Sequence, residues 1–418
     1  MEGAELATGR TPRRRGWWLQ FPAPLREVAT LRLVGSLGAG GVLYLTPMVF
    51  HQEAFSAASV TQGVALAALA GTVSRFLSGW MLDRGVNCTL PVLLAALASL
   101  GGDALLLQAR DFWGYLQGQL LFGMAMGLYW PAIELAVPLS CRQGSAPVSS
   151  ARGYALVRSA DAAGIAGGAL LGTLLASLGL LRGIYMVDMV CLIGMVLLLL
   201  MRPLPDPDRR HPGGRGDGAA NAAWLGPLLP VLAVALLATA LPALMQSALP
   251  LDLVRGGLER QALPESLGAA LIALKLGLLV LIQWPVGRAL ARHPVRIGLG
   301  LSLGSFAIGT ALLGGSALSS HGVALVVLAQ IPLALGEAAF LPVASEAVVE
   351  ITPADHRGVA MALFSQCFAL SALGAPLLAG MALDHQGHGL GVWWTAAVLC
   401  GGGLALVQRI RPRPAVAA

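Results

Sequence analysis

Runs of about 20 apolar residues recur along this 418-residue chain; an α-helix of about that length crosses roughly 30 Å of hydrocarbon. The runs are apolar around the whole helix circumference, not along one stripe as in a soluble core helix. They predict an all-α membrane protein of twelve spans, near residues 29–50, 58–81, 90–109, 113–138, 153–179, 183–201, 224–248, 266–290, 297–317, 322–348, 358–382 and 390–408. The segment between the sixth and seventh, RPLPDPDRRHPGGRGDGAANAA, is rich in Pro, Gly and charge and predicts a flexible linker. The expected organisation is an N-terminal segment 1–28, a six-helix bundle 29–201, a linker 202–223, a second six-helix bundle 224–408 and a tail 409–418.

Composition strengthens this reading. The chain is 56% hydrophobic and 11% charged, against about 25% charged in soluble domains. Its mean hydropathy is +0.74. The 53 glycines and 25 prolines suit a transmembrane bundle better than helices in water. The net charge of +6 would be compatible with nucleic-acid binding, but the arginines flank the apolar runs in short loops, so no nucleic-acid partner is expected. The five cysteines lack metal or redox spacing, and no metal or cofactor is expected. The first 28 residues show no signal-peptide pattern, so the first helix is expected to remain in the mature protein.

Charge position also orients the chain. With both termini cytoplasmic, inside segments hold 20 of the 27 basic residues and outside loops hold Arg110, Arg182, Arg255 and Arg260. Arg75, Arg158 and Lys275 fall within spans, Arg32 and Arg288 near span ends being counted with the inside segments. This asymmetry predicts an even helix count with both ends inside. The excess of Arg over Lys, with abundant Ala, Gly and Leu, suggests a bacterial inner membrane.

The two halves echo each other. Aligning Gly79 with Gly287, Gln119 with Gln330 and Arg152 with Arg357 gives offsets of 208, 211 and 205. Three matches in order indicate a six-plus-six duplication. Parallel repeats of this kind, with a substrate site near the bilayer midplane where the halves meet, describe one class of secondary transporter.

The loop after the second span reads Gly79-Trp80-Met81-Leu82-Asp83-Arg84. It resembles the Gly-x-x-x-Asp-Arg loop motif of the major facilitator superfamily, and the resemblance covers nearly the whole chain. It implies that Asp83 caps the first turn of helix 11 near Arg357, where a carboxylate suits the positive helix end, and so holds the cytoplasmic side closed. Gly79, Asp83, Arg84, Arg152 and Arg357 form the implied latch. The usual continuation of the motif is replaced by Gly85-Val86-Asn87-Cys88, and Ala291 stands where the second half would carry the aspartate, which makes the latch one-sided. Gln119 occupies a position that is often arginine in drug and proton antiporters of the family. Gly164, Gly167, Gly168 and Gly172 partly match the glycine-rich helix 5 of antiporters; they are expected to let helix 5 pack closely on helix 8.

The intramembrane charges are the candidate chemistry. Lys275 is the sole lysine of the chain, and an ammonium within a span costs about 3 kcal/mol on insertion scales. It lies nine residues into its span, roughly 13 Å deep at 1.5 Å per residue. Glu337 is similarly central in helix 10. Burial favours a neutral carboxyl and a neighbouring ammonium favours an ionised one. Glu337 is therefore expected to take the coupling proton, with Lys275 as counter-charge or substrate anchor; a permanent structural ion pair is the alternative. Arg75 suits an anion site or a structural role near the inner mouth. Arg158 and Asp161, spaced i, i+3 on helix 5, share a face and are expected to form an intrahelical or interdomain ion pair. Asp103 and Asp188 lie toward the outer side and are expected to pair within the N-terminal half or to be protonated. Glu134 is a candidate for proton exit, Tyr44 and Trp130 for stacking on a ligand, and Gln119 and Gln330 for polar contacts.

No Walker loop, metal cluster or nucleophile elbow occurs, which argues against an enzyme, and the repeat favours alternating access over a static pore. The expected activity is proton-coupled export of a small organic or amphipathic compound by a monomer embedded in the lipid bilayer. Uptake or exchange of a small organic anion is the second expectation.

Overall fold

The computed structural model describes residues 17–410 apart from 144–147, 149, 206–223, 291 and 354–355. Most of the expected linker and tail, and Ala291, lie outside the described residues. Among those described there are twelve helices long and apolar enough to cross a membrane, and no strand. They are α1 (Ala23–Gln52), α2 (Ala57–Asp83), α3 (Thr89–Gln108), α4 (Phe112–Arg142), α5 (Ser150–Ser177), α6 (Gly183–Met201), α7 (Leu225–Arg255), α8 (Glu265–Leu290), α9 (Val295–Ser316), α10 (Gly322–Ile351), α11 (Arg357–Gln386) and α12 (Leu390–Arg409). The chain is an integral membrane protein.

Several helices outrun their sequence-predicted ends. α1 begins at Ala23, with Pro22 at its cap and Pro24 in its first turn, a position that suits the fixed φ of proline. That start carries Arg32 well inside the helix. α4 continues through Pro131 and Pro138 to Arg142, and α7 through three prolines to Arg255; neighbouring helices make such prolines tolerable in a bundle. α7 and α11 stop at Gly256 and Gly387, both with positive φ, the conformation glycine adopts without a Cβ penalty.

Helices α1–α6 pack among themselves, chiefly α2 on α4, α1 on α5 and α3 on α4. Helices α7–α12 do the same through α9 with α10 and α12, and α7 with α11. The halves meet through α2 with α11, α5 with α8 and α1 with α7. An even number of spans puts both ends of the described chain on one face, called here the terminal face.

The glycines of α5 correct one expectation. Added Cβ atoms at Gly164 and Gly168 would strike the α1 backbone at Leu33 and Leu37, and those at Gly167 and Gly172 would strike Leu37 and Leu45. These glycines therefore serve the α1–α5 contact inside the N-terminal half. α5 still packs on α8, but along another face of the helix.

Candidate functional site

A cavity of about 320 Å³ lies where the halves meet. α1, α2 and α4 line one side, α7 and α11 the other. Its wall is mainly apolar, with Phe122, Trp130, Pro242 and Phe368, and carries a few polar groups, Arg75, Gln119 and Gln246 among them. Arg75 makes no hydrogen bond or ion pair to the described residues, so its guanidinium is free to meet a ligand. Such a wall, apolar with few convergent polar groups, suits a small amphipathic molecule.

Lys275 is buried in α8 and forms an ion pair with Glu337 of α10. The pair stands behind the cavity rather than in its wall. Tyr44 of α1, itself buried, sits close to Lys275, Glu337 and Gln246. Gln246 faces the cavity, so Tyr44 and Gln246 connect the ion pair to it across the boundary between the halves. Gln330 lies apart, buried in α10, where its Nε2 donates to the Val326 carbonyl at 2.8 Å.

A second charged cluster occupies the N-terminal half. Arg32 is buried, 2.8 Å from Asp161 of α5, and its Cζ lies 4.0 Å from the Trp130 ring centroid. The Ser36 hydroxyl donates to Asp161 at 2.6 Å. Arg158 pairs instead with Glu134 of α4 at 3.1 Å. The expected Arg158–Asp161 pair is thus replaced by two interhelical pairs within one half. Neighbouring helices present better-aligned partners than the i, i+3 spacing does. Arg32 drew no attention in the sequence because it stands in the first turn of the expected span and reads as one of the basic residues that flank it; Pro22-Ala23-Pro24 is the signal that moves the helix start earlier.

At the face opposite the termini, the Asp384 carboxylate of α11 accepts from the backbone N–H groups of Ala57 and Ala58, at 2.9 and 2.7 Å. It also pairs with Arg255 at the end of α7, at 2.8 Å. A carboxylate there meets both the free N–H groups and the positive end of α2. Gly380 allows the close approach, since a Cβ there would overlap the Thr61 hydroxyl. Sequence reasoning missed Asp384 because two of its partners are backbone groups, which leave no side-chain signature, and the third, Arg255, stands on another helix far away in the chain.

The implied latch residues lie on the terminal face. Asp83 and Arg84 are exposed. Asp83 makes no hydrogen bond or ion pair to the described residues, whereas Arg84 stacks on Trp80, with its Cζ 4.1 Å from the ring centroid. Gly79 has open space around its Cα. Arg152 donates to Gln20 at 3.2 Å. The Arg357 side chain lies outside the described residues.

Residues 224–418 match the family model described as Major Facilitator Superfamily. Solved transporters share the fold over nearly the whole chain. A POT family transporter in complex with a thioalcohol-conjugated peptide is 12% identical, with a TM-score of 0.76, covering 94% of this chain and 99% of that one. The nucleoside transporter NupG is 13% identical, with a TM-score of 0.74, covering 93% and 98%. The family match thus covers the second half of the chain, and the fold of these transporters extends over both halves. No curated protein matches the chain by sequence. The central cavity is bounded by helices of both halves.

Proposed function

We propose that this protein is a proton-coupled secondary transporter that exports a small organic or amphipathic compound by alternating access, with the inter-half cavity as substrate site and Glu337 as coupling group. The observation that carries the proposal is the buried Lys275–Glu337 pair, joined to the cavity through Tyr44 and Gln246. While the pair is intact, the Lys275 ammonium compensates the Glu337 carboxylate. A substrate or helix movement that separates them leaves a carboxylate in low dielectric, where taking up a proton relieves the cost. Asp384 supports the cycle as a closure at the outer face, with the chain termini and the Asp83 loop on the cytoplasmic side. Proteoliposomes given a pH gradient test this, using a labelled compound chosen from a thermal-shift screen. Wild-type protein should move the compound uphill. Glu337→Gln should keep exchange across equal concentrations and lose uphill movement. Undiminished uphill transport by Glu337→Gln removes Glu337 from the coupling role.

The unpartnered Arg75 in the cavity wall favours a second reading, in which the cargo is an organic anion taken up or exchanged. Organic anions should then raise the melting temperature of wild-type protein, Arg75→Lys should keep part of the shift and Arg75→Gln should lose it. Equal shifts in all three would exclude Arg75 as the anion contact.

A further inference from the structure

Asp103 of α3 and Asp188 of α6 are almost wholly buried, at 0% and 1% exposure. Their carboxyl groups face each other where the two helices pack, and no other described residue donates a hydrogen bond to any of their four oxygens. Gly38 of α1 makes room for them, since a Cβ there would collide with Asp188. Two carboxylates in such contact, with no cation beside them, cannot both stay ionised; the stable arrangement is a carboxyl and a carboxylate sharing one proton.

The pair is not sealed in. Asp188 lines a cavity of about 270 Å³ inside the N-terminal bundle, bounded by α1, α3, α4, α5 and α6 and touching Gln246 of α7. Tyr129 lines the same space, and its buried hydroxyl has no acceptor. A chamber of this size, apolar over most of its wall but with unsatisfied polar groups on two sides, has the room and the partners that internal water requires. Gln246 also faces the central cavity, which gives the chamber a polar neighbour toward the substrate site.

The charged and titratable groups around the pair are otherwise engaged. From α1 and α5, Arg32 and Asp161 neutralise each other. From α6, the Tyr185 hydroxyl donates to Thr46 at 3.2 Å, Arg182 pairs with Glu53, and Cys191 lies beside Asp188. From α4, Tyr129 faces the chamber as a neutral phenol.

We propose that Asp103 and Asp188 form a second, exchangeable proton site of this transporter, loaded through the chamber that Asp188 lines. In each exchange a proton arriving on hydronium bonds to the carboxylate oxygen and leaves water behind, while the proton already shared departs on a second water, so the pair keeps one proton; no electron transfer is involved. The site lies in the half opposite to Glu337 and does not depend on the role given to that residue.

Infrared spectroscopy of the purified full-length protein tests the proposal. Wild-type protein should show the C=O stretch of a protonated carboxyl that moves to lower frequency soon after transfer to D2O, well before the core amides exchange. Asp103→Asn and Asp188→Asn should each shift this band. The Asp103→Asn/Asp188→Asn double variant should lose it, and Glu337→Gln should keep it. Wild-type protein alone keeps the test decisive if the variants do not fold. No such band in wild type, a band that persists at full amplitude in the folded double variant, or one that stays unmoved in D2O as long as the core amides would each overturn the proposal.

Discussion

Replacing Asp384 with alanine is expected to open the face opposite the termini roughly tenfold more often than in wild-type protein. The carboxylate joins the halves by accepting from Ala57 and Ala58, while holding Arg255 beside it. Hydrogen bonds to a charged group contribute about 1.5–3 kcal/mol each, and part of that returns when water solvates the freed α2 terminus. A net loss of about 1.4 kcal/mol is one factor of ten in the equilibrium between closed and open. The measurement is the labelling rate of Val64→Cys, in the cavity wall, by a membrane-impermeant maleimide applied from that face of oriented proteoliposomes. Asp384→Asn should fall between alanine and wild type, because an amide oxygen still accepts but carries no charge. Gly380→Val, which pushes a side chain against Thr61, should raise the rate by a different route. Labelling unchanged in Asp384→Ala would mean that the carboxylate does not hold this face shut.

The second large effect concerns Lys275. Lys275→Met removes the buried cation and leaves Glu337 facing an apolar neighbour, with side-chain exposures of 2% and 18% in the intact pair. Breaking a buried ion pair by removing one partner costs about 3–5 kcal/mol, less whatever Glu337 recovers by taking a proton. The apparent melting temperature should fall by several degrees and recover in the Lys275→Met/Glu337→Gln double variant, because replacing both partners removes the unpaired charge. Cys88, Cys141, Cys367 and Cys400 are buried free thiols, so a thiol-reactive dye reads unfolding directly. Lys275→Arg keeps the charge but brings a larger, planar head, and should sit between wild type and methionine. A double variant no more stable than Lys275→Met would show that the two side chains are not energetically coupled.

The candidate site was only partly legible in the sequence. Lys275 and Glu337 announced themselves, since an ionisable group in an apolar run must find a partner, and here the partner was the other one. Arg75, Gln119 and Trp130, which the sequence offers for anion, polar and stacking contacts, stand in the cavity wall. Arg158 and Asp161 show the limit of local spacing: each turned to a different helix, toward Glu134 and Arg32. Asp384 shows another limit, because an aspartate near a helix end does not reveal that its acceptor oxygens face the start of α2.

Alone, the sequence determined what the bilayer dictates. Uninterrupted apolar length requires helices, because backbone polar groups have no water partner in hydrocarbon; twelve such lengths and a repeated order of motifs set the architecture. Only the tertiary structure decided which buried charges meet, which glycines bring α1 against α5, and which face is clasped by Asp384. Those outcomes depend on how helices far apart in the chain rotate and tilt against one another, and helix rotation is set by side-chain packing between elements that no local pattern encodes.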